Sequence, residues 1–217
     1  RLVELGAVED RVFVCPRGID LTAFAPPEGE SRAPAVVSTR ALHRHYGIDH
    51  IVRGVVLASR EIPDIRATIA GEGEARRELE ALARDLGAAD RIRFVGAVDN
   101  ADLPELLGEH TFYASAVRTD GVSASLLEAM ACGLFPVVAD NAANRNWIAD
   151  GETGRLLESP TPEAYASAIV GAWRDADLRT RARAANRATA EARADLSVNM
   201  KTIESRYGRL IAETGRG

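Results

Sequence analysis

Asp120 and Glu128 stand with seven residues between them, and that interval holds Gly121 and the hydroxyls of Ser123 and Ser125. An apolar, helix-forming run continues through Leu126, Leu127, Ala129, Met130 and Ala131, and Gly133 ends it. Ser123 or Ser125 is the expected N-cap, because a hydroxyl accepts a bond from an orphan N–H of the first turn. A helix start among small residues offers free backbone N–H groups and a positive dipole end to an anion. Glu128 is expected in that first turn, beside whatever is bound. The chemistry is a phosphate held at a helix start with carboxylates on nearby hydroxyls, which is what a nucleotide-sugar requires. Taken alone, the pattern also fits an ordinary amphipathic helix after a turn, so the rest of the chain has to decide.

The elements that would position these groups alternate. Apolar, β-rich runs occur at about 12–15, 35–39, 66–70, 92–95, 112–115, 135–139 and 154–157. Helical stripes at i, i+3, i+4 lie between them: Ile48, Ile51, Val52, Val55 and Val56; Leu79, Leu82 and Leu86; Leu103, Leu106 and Leu107. Alternating strands and helices imply βαβ units, right-handed crossovers and a parallel sheet. The expected fold is α/β, a Rossmann-like parallel sheet with helices on both faces over about 10–175, with C-terminal helices over about 176–217. Ligands of such sheets sit beyond the carboxyl ends of the strands. Arg40, Gly71, Ala97 and Asp120 each follow a predicted strand, so they would converge on one edge. Residues 162–174 form an amphipathic helix. Residues 176–194, rich in Ala and Arg, read as a solvated surface helix. A last helix runs to about 212, with Met200, Ile203, Tyr207, Leu210 and Ile211 on its apolar faces.

Composition narrows the classes. The 217 residues suffice for a real core. A net charge of -5, from 27 basic against 32 acidic residues, argues against a nucleic-acid footprint. Cys15 and Cys132 form no CxxC pair, so a disulfide framework or metal site is not expected. Both are expected to be buried as small apolar residues. No run approaches the roughly 18 apolar residues of a membrane span, and no signal peptide is recognisable.

Residues 120–133 resemble the signature of retaining glycosyltransferases of the GT-B type, group 1: a Glu, seven residues, then a second Glu leading into Ala-Met-Ala, a small residue and Gly. Asp120 stands in the first Glu position and Glu128 in the second. Further pieces agree in order. Residues 14–20, ending Gly18-Ile19-Asp20, resemble the family's strand and Pro-Asn-Gly-Val-Asp turn. Ser38-Thr39-Arg40 resembles the strand end with a phosphate-binding Arg. Residues 69–74 resemble the strand, Gly-x-Gly turn and helix start, residues 93–98 the strand and loop that hold the base, and residues 150–157 the closing Asp-Gly-x-Thr-Gly segment. The resemblance runs from about 10 to 195 and implies one half of a GT-B fold. It also implies that the N-terminal acceptor domain is not in this chain, which begins with Arg1.

From this resemblance the donor is a UDP-, GDP- or ADP-sugar, with no cofactor and no metal. Arg40 would hold the diphosphate, since a guanidinium binds phosphate bidentately and stays charged. It would stabilise the leaving group as charge builds there. Glu128 would take the ribose hydroxyls and Asp120 the sugar hydroxyls; with Arg40 they form the catalytic set. Backbone groups of Gly121, Ser123, Ser125 and Leu126 would touch sugar or phosphate. Gly18 and Gly71 would let backbone approach the donor, and Ala97 and Val98 would meet the base edge. The family's chemistry is described as front-face attack assisted by the leaving phosphate.

The departures bear on the second phosphate cation. The family carries a Lys about five residues after the Arg; here the run is Arg40, Ala41, Leu42, His43, Arg44, His45, Tyr46, Gly47, leaving Arg44, a His or Tyr46 in its place. Asn144-Arg145-Asn146 stands where many members carry Gly-x-x-Glu. The expected function is the donor half of an enzyme transferring a hexose to a glycan, lipid or metabolite, cytoplasmic or at the inner membrane face through peripheral association. This chain alone is expected to be inactive. A non-catalytic GT-B-like nucleotide-binding module is the alternative. A sugar-nucleotide epimerase usually lacks the Glu-Ala-Met-Ala run, and a Rossmann dehydrogenase would want GxGxxG after the first strand.

Overall fold

The computed structural model describes residues 3–9, 12–15, 18–27, 29, 33–119 and 121–214. Six strands form one all-parallel sheet: β1 Ala35–Ser38, β2 Arg66–Ala70, β3 Ile92–Gly96, β4 Phe112–Ser115, β5 Phe135–Ala139 and β6 Arg155–Leu157. Their order across the sheet is β3-β2-β1-β4-β5-β6. The inner strands β1, β2, β4 and β5 are buried nearly throughout, as a parallel sheet covered on both faces demands, while the edge strands β3 and β6 are only partly buried. In β4, Phe112 and Ala114 face one core while Tyr113 faces the other.

The first core packs α1 Ile48–Ala58, α2 Arg76–Asp85 and α6 Pro162–Arg174 against one face of the sheet. The second packs α3 Leu103–Gly108 and α4 Ala124–Ala131 against the other. A short turn of helix, α5 Ala142–Arg145, follows β5. The helix α7 Ala176–Arg193 places Ala182 in the first core and Ala190 in the second. It thus passes from one face to the other along the edge where β4 and β5 begin. The final helix, α8 Leu196–Thr214, leaves Val198, Met200, Tyr207, Leu210 and Ile211 exposed.

Three expectations need correction. Residues 12–15 do not join the sheet, and Val14 is 86% exposed. Nearby, Ile19 makes only an isolated bridge to Asp195. A four-residue apolar run carries no mark of whether a sheet edge waits for it. Second, α7 is solvated on one face only, and its other face is fastened to the sheet. Its Asn186 is fully buried and donates to Leu134 O at 3.0 Å and Thr153 O at 2.8 Å. Arg187 donates to Phe24 O at 2.6 Å and Arg183 to Gly29 O at 2.8 Å. Small Ala side chains let α7 sit close, and Arg heads reach carbonyls the strands and loops leave unpaired. Third, Cys132 is buried as expected but Cys15 is only half-buried, its Sγ 3.9 Å from Asn199 O.

The tightest helix contact is between α1 and α6 at Gly54. A Cβ there would lie 2.6 Å from Tyr165 Cβ and 3.1 Å from Pro162 O. Tyr165 is itself fixed, since its buried hydroxyl donates to Ser115 O at 2.9 Å. Gly54→Ala is therefore expected to destabilise the fold by about 1–3 kcal/mol through overpacking, although Ala is the better helix former by about 1 kcal/mol. Urea unfolding checks this; an unchanged or raised stability would show that α1 and α6 can separate freely.

Candidate functional site

The chain winds outward from β1 to β3, then returns to β4 and winds the other way to β6. A crevice is left at this reversal, beyond the carboxyl ends of β1 and β4. It is a cleft of about 480 Å³ lined by Thr39, Arg40 and Ala41 after β1, by Ala70, Gly71 and Glu72 around the end of β2, and by Ala97, Val98 and Asn100 after β3. Leu103 of α3 and Ser123, Ala124, Ser125 and Glu128 of the α4 region close it.

The β1 and β2 exits are pressed together. A Cβ on Gly71 would lie 2.3 Å from Arg40 O, so only a glycine lets the β2 turn come this close. Gly71 N–H donates to Gly96 O at 2.7 Å, Leu42 N–H to Glu72 O at 2.8 Å and Ala75 N–H to Leu42 O at 3.0 Å. The backbone of Arg40 is thereby fixed between three strand ends. Its guanidinium lies over the Tyr46 ring, 5.0 Å from the centroid, and Tyr46 packs edge-on against His45 and His43.

On the facing wall, Ser123 is the N-cap of α4, its hydroxyl accepting from Leu126 N–H at 3.2 Å. Because α4 starts at Ala124, Glu128 falls in the second turn, not the first. Its carboxylate still lines the cleft, half-buried. Burial raises its pKa above the usual carboxylate range, and no hydrogen bond among the described residues offsets that. Gly121 is exposed. Leu126 is buried in the second core, and its N–H is spent on the Ser123 cap. Asp120 lies outside the described residues.

Arg40, Gly71, Ala97, Val98, Ser123, Ser125 and Glu128 are thus brought together. Gly18 and Arg44 are not. Gly18 packs on the start of α8, where a Cβ would lie 2.7 Å from Leu196 Cα. Arg44 turns away to α2 and donates twice to Glu78, at 2.5 and 3.1 Å. His43 sits 2.8 Å from Glu74, whose carboxyl it holds down at about 2. Among the described residues Arg40 is the only basic side chain lining the cleft. Asn144 is buried, donating to Ala139 O at 2.8 Å, and Arg145 grips Asp140 at 2.6 and 2.7 Å. No group of three His, Cys, Asp or Glu among the described residues could hold a metal, and none of their helices is long and apolar enough to cross a membrane.

Sequence reasoning missed Thr39, Glu72, Asn100 and Leu103. Their only signal is position, in the segments that follow β1, β2 and β3 up to the first residue of α3. Thr39 Oγ1 is buried in the cleft wall with no hydrogen-bond partner among the described residues.

A family model described as "Glycosyl transferases group 1" matches residues 23–189. The chain is 29% identical over 172 residues to the UDP-N-acetylglucosamine--peptide N-acetylglucosaminyltransferase GtfA subunit of Streptococcus parasanguinis, covering 78% of this chain and 33% of that protein. It is equally 29% identical over 172 residues to a GDP-mannose-dependent alpha-(1-6)-phosphatidylinositol monomannoside mannosyltransferase of Mycolicibacterium smegmatis, covering 71% of this chain and 45% of that protein. The chain thus spans less than half the length of these relatives. The solved structure of Anabaena HepE in complex with UDP and glucose shares the fold with a TM-score of 0.81 at 19% identity, covering 95% of this chain and 59% of that one.

Glu128 gives a pH test. A carboxyl whose folded pKa is raised costs stability above that pKa, and the cost fades as pH falls toward the ordinary, unfolded value. Glu128→Gln is expected to be more stable than the parent near neutral pH, with the advantage shrinking on acidification through that window. Urea unfolding of both proteins across the acid range checks this; a difference independent of pH would contradict it.

Proposed function

The chain belongs to the group 1 glycosyl transferases, and from that premise we propose that it is the nucleotide-sugar donor-binding half of a retaining glycosyltransferase. The reaction proposed is transfer of a hexose from a nucleoside-diphosphate sugar to a glycan, lipid or small-metabolite acceptor. One observation carries this reading: Arg40 and the start of α4 face each other across the cleft at the sheet's reversal point, with Glu128 beside them.

Each group has a task that its chemistry suits. Arg40 neutralises the diphosphate and, as the glycosidic bond breaks, the growing charge on the departing phosphate oxygens. Its fixed backbone and its packing on Tyr46 mean little reorganisation at that moment. Glu128, ionised, accepts hydrogen bonds from the paired ribose hydroxyls. The base lies along Ala97 and Val98, and the sugar reaches toward the loop that carries Asp120. The named relatives use UDP and GDP donors, and the identity of the base remains part of the test. On this reading the acceptor-binding groups lie outside this chain, which by itself is expected to transfer little sugar.

One observation favours the alternative of a non-catalytic nucleotide-binding module. With Arg44 held by Glu78, the cleft has a single basic side chain among the described residues. Nucleotide binding with no sugar transfer by the full-length protein would select that reading.

The direct test is calorimetric titration of this chain with UDP, GDP and ADP. One nucleotide is expected to bind best. Arg40→Ala should weaken it by about tenfold or more, since a hydrogen bond to a charged group is worth about 1.5–3 kcal/mol. Glu128→Ala should weaken it less. Binding that neither variant alters would place the nucleotide elsewhere and refute the assignment.

A further inference from the structure

Beneath the cleft, Tyr113 is fully buried in the middle of β4, packed in the second core. A Phe would fill the same space. The hydroxyl is therefore not needed for packing, and in such a place it must find a partner. It lies 2.9 Å from Ser125 Oγ, which is itself only 9% exposed. Ser125 Oγ donates to Ser123 Oγ at 3.3 Å, and Leu126 N–H donates to that same oxygen at 3.2 Å.

Proton counting orders this chain. A hydroxyl has one proton and two lone pairs. The Ser125 proton goes to Ser123, so the Tyr113 proton goes to Ser125. Both lone pairs of Ser123 are then taken, and what Ser123 has left to offer the cleft is its own proton. Burial pushes the Tyr113 phenol pKa up, with the Ser125 hydrogen bond and the charge of Arg40 acting in the opposite sense, so the phenol stays protonated, as an ordinary tyrosine does at neutral pH. Successive hydroxyls pointing one way polarise each other, so the last proton is a better donor than an isolated serine's.

We propose that Tyr113, Ser125 and Ser123 form a directed hydroxyl relay, with Tyr113 a positioning residue that presents the Ser123 proton to an anionic oxygen of a bound nucleoside diphosphate. The relay rests on the donor-site reading above and adds a donor on the wall opposite Arg40. It supplies part of what a second cation would supply, from neutral groups held under the cleft floor.

The test compares each diphosphate (UDP, GDP, ADP) by calorimetry with its parent nucleoside by chemical-shift titration. In Tyr113→Phe the diphosphate is expected to bind roughly three- to tenfold more weakly, the yield of one hydrogen bond, while nucleoside affinity stays unchanged. Ser125→Ala, which interrupts the relay midway, should match it. Ser123→Gly removes the hydroxyl but leaves a tolerable N-cap, and should lose at least as much. Adding Tyr113→Phe to Ser123→Gly should then cost nothing further, because the relay has nothing left to deliver. Melting temperatures confirm that each variant is folded. Unchanged diphosphate affinity in Tyr113→Phe, or equal losses for diphosphate and nucleoside, would overturn the relay and leave the donor site standing. Failure of the parent chain to bind any of the three diphosphates would instead remove the donor site, and the relay with it.

Discussion

Two winding directions leave one gap. β1 leads outward to β2 and β3, and β4 leads outward to β5 and β6, so the crossover helices on the two sides part above the neighbours β1 and β4. No connection covers that point. The groups that line the cleft gather there because strand ends open there: Arg40 after β1, the Gly71 turn after β2, Ala97 and Val98 after β3, and α4 soon after β4. The register of β1 on both β2 and β4 sets how these ends line up. Close approach at Gly71 then fixes the height at which Arg40 leaves the sheet.

The opposite edge of the sheet is where the structure is fastened. There α7 passes beneath β4 and β5, and its Asn186, Arg183 and Arg187 satisfy carbonyls from segments distant in sequence. Polar fixing at the amino ends of the strands and a polar cleft at their carboxyl ends leave the middle of the sheet to apolar packing. Two polar side chains in the interior are well bonded. His110 bridges Leu106 O and Thr68 Oγ1 at 2.7 and 2.9 Å, and Tyr165 holds Ser115 O. Tyr165 steadies the point where β4 gives way to the loop leading to Asp120, so the fastening of α1 to α6 reaches the cleft.

Much of this was legible in the sequence, for a physical reason. Strands buried on both faces must be apolar throughout, and six such runs, separated by helical stripes, leave little choice of fold. The run at 12–15 has the same composition yet no partner strand, because pairing depends on a neighbour that local pattern does not encode. Residues 176–194 misled in the other direction. Ala signals neither burial nor exposure, and an Arg that reaches a buried carbonyl looks the same in sequence as one in water. Glu128 was placed a turn early because Ser123 and Ser125 were both credible caps, and which of them caps shifts the helix numbering. Tyr113 read as plain core. Its hydroxyl acquires meaning only once Ser125 folds over it, a contact no spacing rule announces.

On the proposed reading, a chain of net charge -5 holds a polyanion. Arg44 and Arg145 are each engaged by a carboxylate outside the cleft, and the attraction within it falls to Arg40 and to oriented amides and hydroxyls. A crystal structure of this chain with the nucleoside diphosphate it binds best puts that division of labour to the test. The diphosphate is expected between Arg40 and the start of α4, the ribose at Glu128 and the base along Ala97 and Val98. A diphosphate bound instead beside Arg44, or along α7 beside Arg183 and Arg187, with the β1–α4 cleft empty, would contradict it.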